Sequence, residues 1–388
     1  MHTTMATENN NKNLNVPNLR FPEFHKPYSS TTISKLATIV GGGTPDTTVP
    51  DYWNGGIQWL TPSEIGKNKY TNKSERTISQ EGLNNSSAKL LPINTILLST
   101  RATIGESSIA KAECCTNQGF QSLIANEEIV CYEYLYYLVA TLKKELIRKS
   151  CGSTFLEISA NEVRKIKTFV PSLEEQGKVS SLLSLIDERI ATQIKIIEDL
   201  KILKSAISNK YLYDKSWPKY KISEIATLGR GRVISSKEIG LQRNPMYPVY
   251  SSQTSNDGVM GYLDTYDFDG EYITWTTDGA NAGTVFYRNG QFNCTNVCGT
   301  IKVGKSFDAY FLSTILQTAT ARYVSTNLAN PKLMNNTMAS IVVRIPDIKI
   351  QKYWSSILRK MEEKLSVEST ILLALQQQKQ YLLAQMFI

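Results

Sequence analysis

Phe169-Val170-Pro171-Ser172-Leu173-Glu174-Glu175-Gln176 opens a run that continues without another proline past Leu212. Arg344-Ile345-Pro346-Asp347-Ile348-Lys349-Ile350-Gln351 opens a second run, proline-free to Ile388. Pro346 stands 175 positions after Pro171, and Gln351 stands 175 after Gln176, so the motif is a repeat. A proline ahead of a long apolar-periodic stretch poor in Pro and Gly starts a helix. Gly177 is the one weak position in the first copy. About forty residues at 1.5 Å each predict two rods of about 60 Å.

Apolar residues in both rods alternate by four and three. The first seam is Ile186, Ile190, Ile197, Leu200, Ile207 and Tyr211, interrupted by Gln193 and Lys204. The second is Met361, Leu365, Leu372, Leu375, Leu382 and Met386, interrupted by Glu368 and Lys379. That spacing is a narrow coiled-coil stripe. Laid antiparallel, Ile186 meets Met386, Ile197 meets Leu375 and Ile207 meets Leu365. The same register sets Lys204 against Glu368 and Gln193 against Lys379, and polar pairs in a seam specify register. The alternative is two unrelated surface helices, each packed on its own domain.

A chain of 388 residues holds two to three domains. With 41% apolar residues but no run of eighteen, it reads as globular, neither membrane-spanning nor secreted. Its six cysteines lack CxxC spacing and its only histidines are His2 and His25. Zinc is disfavoured, and reduced thiols in a cytoplasmic protein are the plain reading. The net charge of +8 permits nucleic-acid binding through local patches without requiring it.

In order, residues 1–26 form an Asn- and Thr-rich arm whose end, Leu19 to Phe24, can dock on the adjoining domain. Residues 27–172 form a first mixed unit, with a hairpin-like signal from Tyr52 to Pro62, strands over Leu90–Ser99 and Gly105–Ala110, and a helix over Tyr132–Arg148. The first rod occupies 173–213, a second unit 214–345 and the second rod 346–388. The second unit echoes the first: Ile222–Thr227 repeats the Ile33 segment, and Tyr272–Thr277 takes the place of Ile96–Thr100. Cys294-Thr295-Asn296 matches Cys115-Thr116-Asn117, and Leu328–Met334 matches Ser153–Ser159. A period of about 175 residues implies duplicated domains with an approximate two-fold axis. The fold class expected is α+β: two mixed α/β domains separated by two long antiparallel helices forming a coiled coil.

The usual tools of an enzyme are missing. There is no GxGxxG after a strand and no Walker loop. Asn244-Pro245-Met246-Tyr247 lacks the second proline of the amino-methyltransferase motif and a companion glycine loop. The two histidines sit in the arm, which argues against histidine-based nucleophilic catalysis. Asp264, Asp267 and Asp269 read as a solvated loop rather than a cation site. No catalytic or metal-binding residue is assigned.

Nucleic-acid contact has more support. Loops rich in amides, hydroxyls and arginine lie beside aromatics in both units. The candidates are Thr44, Gln58, Thr61, Arg101, Thr103, Asn117, Gln118 and Gln121 in the first, and Arg230, Arg232, Ser251, Gln253, Thr277, Asn281 and Asn296 in the second. Arginine suits guanine edges, Asn and Gln suit adenine, and hydroxyls suit phosphates.

This arrangement resembles the specificity subunit of type I restriction–modification enzymes from about Tyr28 to Ile388. The closest pieces are Gly42-Gly43-Thr44-Pro45, the stretch Trp53 to Ile65 containing Trp59-Leu60-Thr61-Pro62, and the Pro-Ser-Leu-Glu-Glu-Gln opening of the first rod. The second unit departs from both glycine and Trp-Leu-Thr-Pro motifs, which implies that the halves read different DNA words. The resemblance implies two target recognition domains reading a split, asymmetric site in double-stranded DNA, and rods that fix the spacer and dock two methyltransferase subunits. Those partners would bring S-adenosylmethionine, and restriction subunits would bring ATP and magnesium. This chain would hold no cofactor and catalyse nothing. A coiled-coil adaptor without sequence-specific DNA binding is the other reading.

Overall fold

A computed structural model describes residues 15–152, 156–211, 214–325 and 330–388, with the side chains of 209–211 left aside. The chain divides into two compact units, residues 1–194 with 370–388, and residues 195–369. Both long helices, Leu173–Tyr211 and Ile348–Met386, are therefore shared between the units.

In the first unit a five-stranded sheet runs in the order Ala37–Gly41, Gln121–Ala125, Ile96–Leu98, Ser107–Ala110, Tyr70–Thr71. A three-stranded sheet sets Trp53–Leu60 between Arg76–Ile78 and Cys114–Thr116, pairing parallel with the latter. Helix Tyr132–Thr141 buries Tyr134, Leu135, Tyr137 and Leu138 in one core with Leu36, Ile96 and Leu123. The second unit repeats the plan. Its four-stranded sheet runs Ala226–Arg230, Cys298–Val303, Tyr272–Thr276, Val285–Arg288, and its three-stranded sheet places Tyr247–Tyr250 between Val259–Leu263 and Asn293–Cys294. Helix Ala309–Ala319 packs Phe311, Ile315 and Leu316 against Trp275 and Ile301.

Local structure departs from the sequence reading at three places. Tyr52–Pro62 is not a hairpin: Trp53–Leu60 is one strand, and Trp53 and Ile57 both oppose Ile78 across a bulge. Asn54 (φ 62°) and Gly56 (φ 91°) supply the left-handed conformations this requires, so the turn residues loop out without reversing the chain. The Leu90–Ser99 stretch is a strand only over Ile96–Leu98. The helix expected over Tyr132–Arg148 breaks at Leu142 (ψ 0°) into Tyr132–Thr141 and Lys143–Arg148.

Each rod docks on its domain through the same two side chains. Gln176 accepts from Cys131 N (3.0 Å) and donates to the carbonyls of Ile129 (2.9 Å) and Pro171 (3.0 Å). Gln351 accepts from Asp308 N and donates to the Pro346 carbonyl, both at 2.8 Å. Cys131 and Asp308 are the N-caps of the two domain helices, so each glutamine ties a helix start to a rod start. One turn further on, Ser180 lies 3.6 Å from the Cys131 sulfur, and Ser355 donates to Asp308 Oδ1 at 2.7 Å. All four rod side chains are buried.

Within each unit the rods run antiparallel. In the first, the Tyr28 hydroxyl lies 3.3 Å from both Glu175 Oε1 and the Met386 carbonyl, while Asp187 bridges Lys379 at 2.6 Å. In the second, Lys204 bridges Glu362 at 2.6 Å. The sequence register set Lys379 against Gln193 and Lys204 against Glu368. The ion pairs instead go to Asp187 and Glu362, each six residues before the expected partner, so the rods pair about one heptad out of the expected register. Lys379 lies level with Asp187 rather than Gln193, and Lys204 with Glu362 rather than Glu368. Glu368 is nearly buried and pairs with Lys364 on its own helix.

Ile186, Gln193, Ile197, Glu368, Leu375, Leu382 and Met386 are buried, and Ile190, Leu200, Lys204, Ile207, Met361, Leu365, Leu372 and Lys379 half-buried. Most of their helix neighbours are exposed. The Tyr211 side chain falls outside the described residues. Lys379→Met strands Asp187, which keeps only the Tyr137 hydroxyl at 2.7 Å. It is expected to cost about 2 kcal/mol, less than for a fully buried pair since both groups retain solvent contact. Denaturant unfolding measures the loss, and an unchanged midpoint would contradict it.

The arm from Asn15 docks on the first unit. Leu19 N donates to the Gln385 carbonyl at 2.9 Å, and Arg20 forms a two-bond ion pair with buried Glu175 at 2.7 Å. Residues 1–14, 153–155, 212–213 and 326–329 lie outside the described residues, including the expected end of the first rod and parts of the Ser153 and Leu328 segments matched above. Among the described residues no helix is long and apolar enough to cross a membrane.

Candidate nucleic-acid interface

In the first unit, four loops meet where the two sheets adjoin. The Gly41–Thr44 loop lies against Thr116 and Asn117: Gly43 N donates to the Thr116 carbonyl at 2.8 Å. A Cβ on Gly42 would sit 1.9 Å from the Asn117 carbonyl oxygen, so only glycine fits there. Asn117 N donates to the Leu60 carbonyl, and Thr100 N to the Gly119 carbonyl, which brings in the Thr61 and Arg101 loops.

The second unit builds the same junction. Gly231 is pressed against Cys294 and Thr295, where a Cβ would meet the Cys294 carbonyl oxygen at 2.1 Å. Thr295 N donates to the Tyr250 carbonyl, and Thr277 N to the Val297 carbonyl. Thr100 and Thr277 are both fully buried. The Thr100 hydroxyl donates to the same Gly119 carbonyl as its own N–H, and the Thr277 hydroxyl lies 2.6 Å from Asp278 Oδ2 and 3.0 Å from the Val297 carbonyl that takes its N–H.

On this common frame the exposed side chains differ. The Thr44 hydroxyl donates to Gln118 Oε1 at the first junction. Asn117 holds its own loop by accepting from Gly119 N. Thr103 is exposed and donates to Ser99, beside Ala102 at φ 55°. A left-handed alanine stores backbone strain of about 1–2 kcal/mol. Arg101 bridges Glu157 at 2.9 Å. Gln121 lies opposite Gly41 across the ladder.

Gln58 and Thr61 spend their polar atoms on the protein. Gln58 accepts from Ser74, and Thr61 forms a capping box with Glu64. Thr61 nonetheless stays half exposed.

At the second junction Arg230 donates to the Asn296 carbonyl (2.5 Å), Thr277 (2.9 Å) and Asp278 (3.0 Å). Arg232 pairs with Glu238 (2.7 Å) and Asp267 (3.0 Å). The hydrogen bond from Arg232 holds the Glu238 carboxyl below its ordinary range. Ser251 accepts from Thr295, Asn281 donates to the Ser252 carbonyl, and Gln253 to that of Val259. Beneath them Cys298 is buried, which pushes its thiol up to about 11, so it packs as a neutral group. Among the described residues no group of three or more His, Cys, Asp or Glu side chains could hold a metal ion.

The sequence reading missed the charged partners Glu157, Asp278 and Lys332. Lys332 follows Glu157 by 175 positions, the interval of the proline–glutamine repeat, so that signal was available.

The profile of the family described as "Type I restriction modification DNA specificity domain" matches the chain twice, over residues 26–201 and 214–377. The chain belongs to this family. It is a DNA sequence-specificity subunit with two recognition domains. A Mycoplasma pneumoniae relative, putative type I specificity subunit S.MpnORF289P N-terminus, is 47% identical over 142 residues, 36% of this chain and 74% of the relative. The type I restriction enzyme MjaIX specificity subunit of Methanocaldococcus jannaschii is 34% identical over 193 residues, 49% of this chain, and the match spans only 44% of that relative. Among solved structures, the type I restriction–modification S subunit of M. genitalium superposes with a TM-score of 0.66 at 16% identity, covering 96% of this chain and 99% of that one. At that identity the likeness speaks for the fold.

Proposed function

We propose that this specificity subunit reads a bipartite, asymmetric site in double-stranded DNA, one word per loop junction, and docks two methyltransferase subunits on its rods. The observation that carries the reading is the pair of junctions. Their backbone hydrogen bonds repeat while their exposed side chains differ, which suits one scaffold reading two words.

Docking is supported by the outer faces of the rods. Leu185, Leu373 and Tyr381 in the first unit, and Ile202, Leu203 and Val367 in the second, are more than half exposed. A groove of about 650 Å³ between Leu182, Leu185, Arg189 and Ile371 adds a seat for a partner side chain. Large apolar groups exposed on a helix pair mark a protein interface. S-adenosylmethionine would belong to the docked partner, and ATP with magnesium to restriction subunits, with this chain supplying recognition alone in the cytoplasm.

The test is methylome sequencing of cells expressing the chain with its methyltransferase partner. It is followed by gel shift of the purified complex on the methylated site and on a scrambled duplex. A split motif and selective retention support the reading. Equal binding to both duplexes would favour an adaptor instead.

A further inference from the structure

Beside each junction lies a hairpin whose far strand is held by the same bonds in both domains. In the first, Glu157 pairs with Cys151, and Ile158 N donates to the Thr100 carbonyl at 3.2 Å. In the second, Lys332 pairs with Ser325, and Leu333 N donates to the Thr277 carbonyl at 2.9 Å. The residue after each threonine then bridges the hairpin: Arg101 opposite Glu157, and Asp278 opposite Lys332. These backbone bonds are the same in both, but the charges are exchanged. Arg101 on the loop meets Glu157 on the hairpin at 2.9 Å, whereas Asp278 on the loop meets Lys332 on the hairpin at 3.6 Å.

Resting on the DNA-reading function above, we infer that the cation of each bridge, Arg101 in the first domain and Lys332 in the second, is a DNA-contacting residue that its carboxylate partner positions. The reversed polarity moves the cation from loop to hairpin and so helps make the two words different.

Two observations separate this from a structural ion pair. The pairs are too exposed to matter much for stability, with side-chain exposures of 43% and 39% in one and 40% and 21% in the other. In the second domain Asp278 also accepts from Arg230. Arg230 is already committed to Asn296 and Thr277, which leaves Lys332, with no other ion pair described, as the more mobile charge. The shared chemistry is a cation aimed at an acceptor, either a guanine edge or a phosphate oxygen.

The test uses the full chain assembled with its methyltransferase partner, and a duplex carrying the site defined by methylome sequencing. Arg101→Gln and Lys332→Gln are each expected to weaken binding at least tenfold while leaving the thermal midpoint unchanged. A base-edge contact relaxes the methylated motif in one half only. A phosphate contact leaves the motif intact and lowers the salt slope by about one. The double exchange Arg101→Glu with Glu157→Arg retains an ion pair but displaces the cation, so binding stays weak. Wild-type affinity and motif in both single variants, or restoration by the double exchange, would overturn the inference while leaving the reading function standing. A wild-type complex that fails to discriminate its duplex from a scrambled one overturns the reading function itself.

Discussion

Gln176→Leu is expected to lower the thermal midpoint of the first unit by about 10 °C, and Gln351→Leu to do nearly the same in the second. Leucine fills a similar volume but offers no polar atoms. The Pro171 carbonyl then loses its partner in a buried place, and Cys131 N and the Ile129 carbonyl lose theirs in half-buried ones. Each buried group left unsatisfied costs about 1–3 kcal/mol, so a total of about 3 kcal/mol is a cautious figure. For a unit of this size that corresponds to about 10 °C. Gln351 makes two such bonds to Gln176's three, so its loss is the smaller. Calorimetry resolves the two effects, with Lys201→Ala on the exposed face of the first rod as a control within about 0.5 kcal/mol. Midpoints that match the control would mean that water replaces the amide without cost.

Exchanging residues 27–172 for those of a relative is expected to change one half of the methylated motif and leave the other untouched. The reason is structural independence: each junction is closed by hydrogen bonds within its own domain, and the two cores share no residue. Deleting a domain instead of exchanging it should weaken binding about 10²- to 10⁴-fold, because the second contact no longer benefits from effective concentration. Methylome sequencing reads the exchange directly. A change in both halves would show that the domains do not read separately.

The sequence disclosed some of this and concealed the rest for physical reasons. The proline–glutamine interval was legible because both residues are fixed by the helix start they make. The seam was legible because a period of 3.5 residues places one stripe out of water along the whole helix. The register across it was not, since a heptad stripe repeats every seven residues and pairs almost as well one heptad along. The ion pairs to Asp187 and Glu362 place it about one heptad from the expected one. The Asn54-Gly55-Gly56 segment looked like a reversal because positive-φ residues serve bulges as well as turns. Among the candidate readers, side-chain type alone could not separate Gln58, occupied by Ser74, from Gln118, which faces solvent. That distinction depends on a loop sixteen residues away from Gln58 in the chain.

The hydrogen bond from Leu19 N to the Gln385 carbonyl holds the two extremities of the described chain side by side. A short glycine–serine tether could therefore join them, and new ends could be opened in the exposed Arg243–Met246 loop. Circular permutation is tolerated where the original ends adjoin and the new ones fall on the surface. The order in which the two readers are synthesised is thus separable from the structure that they form.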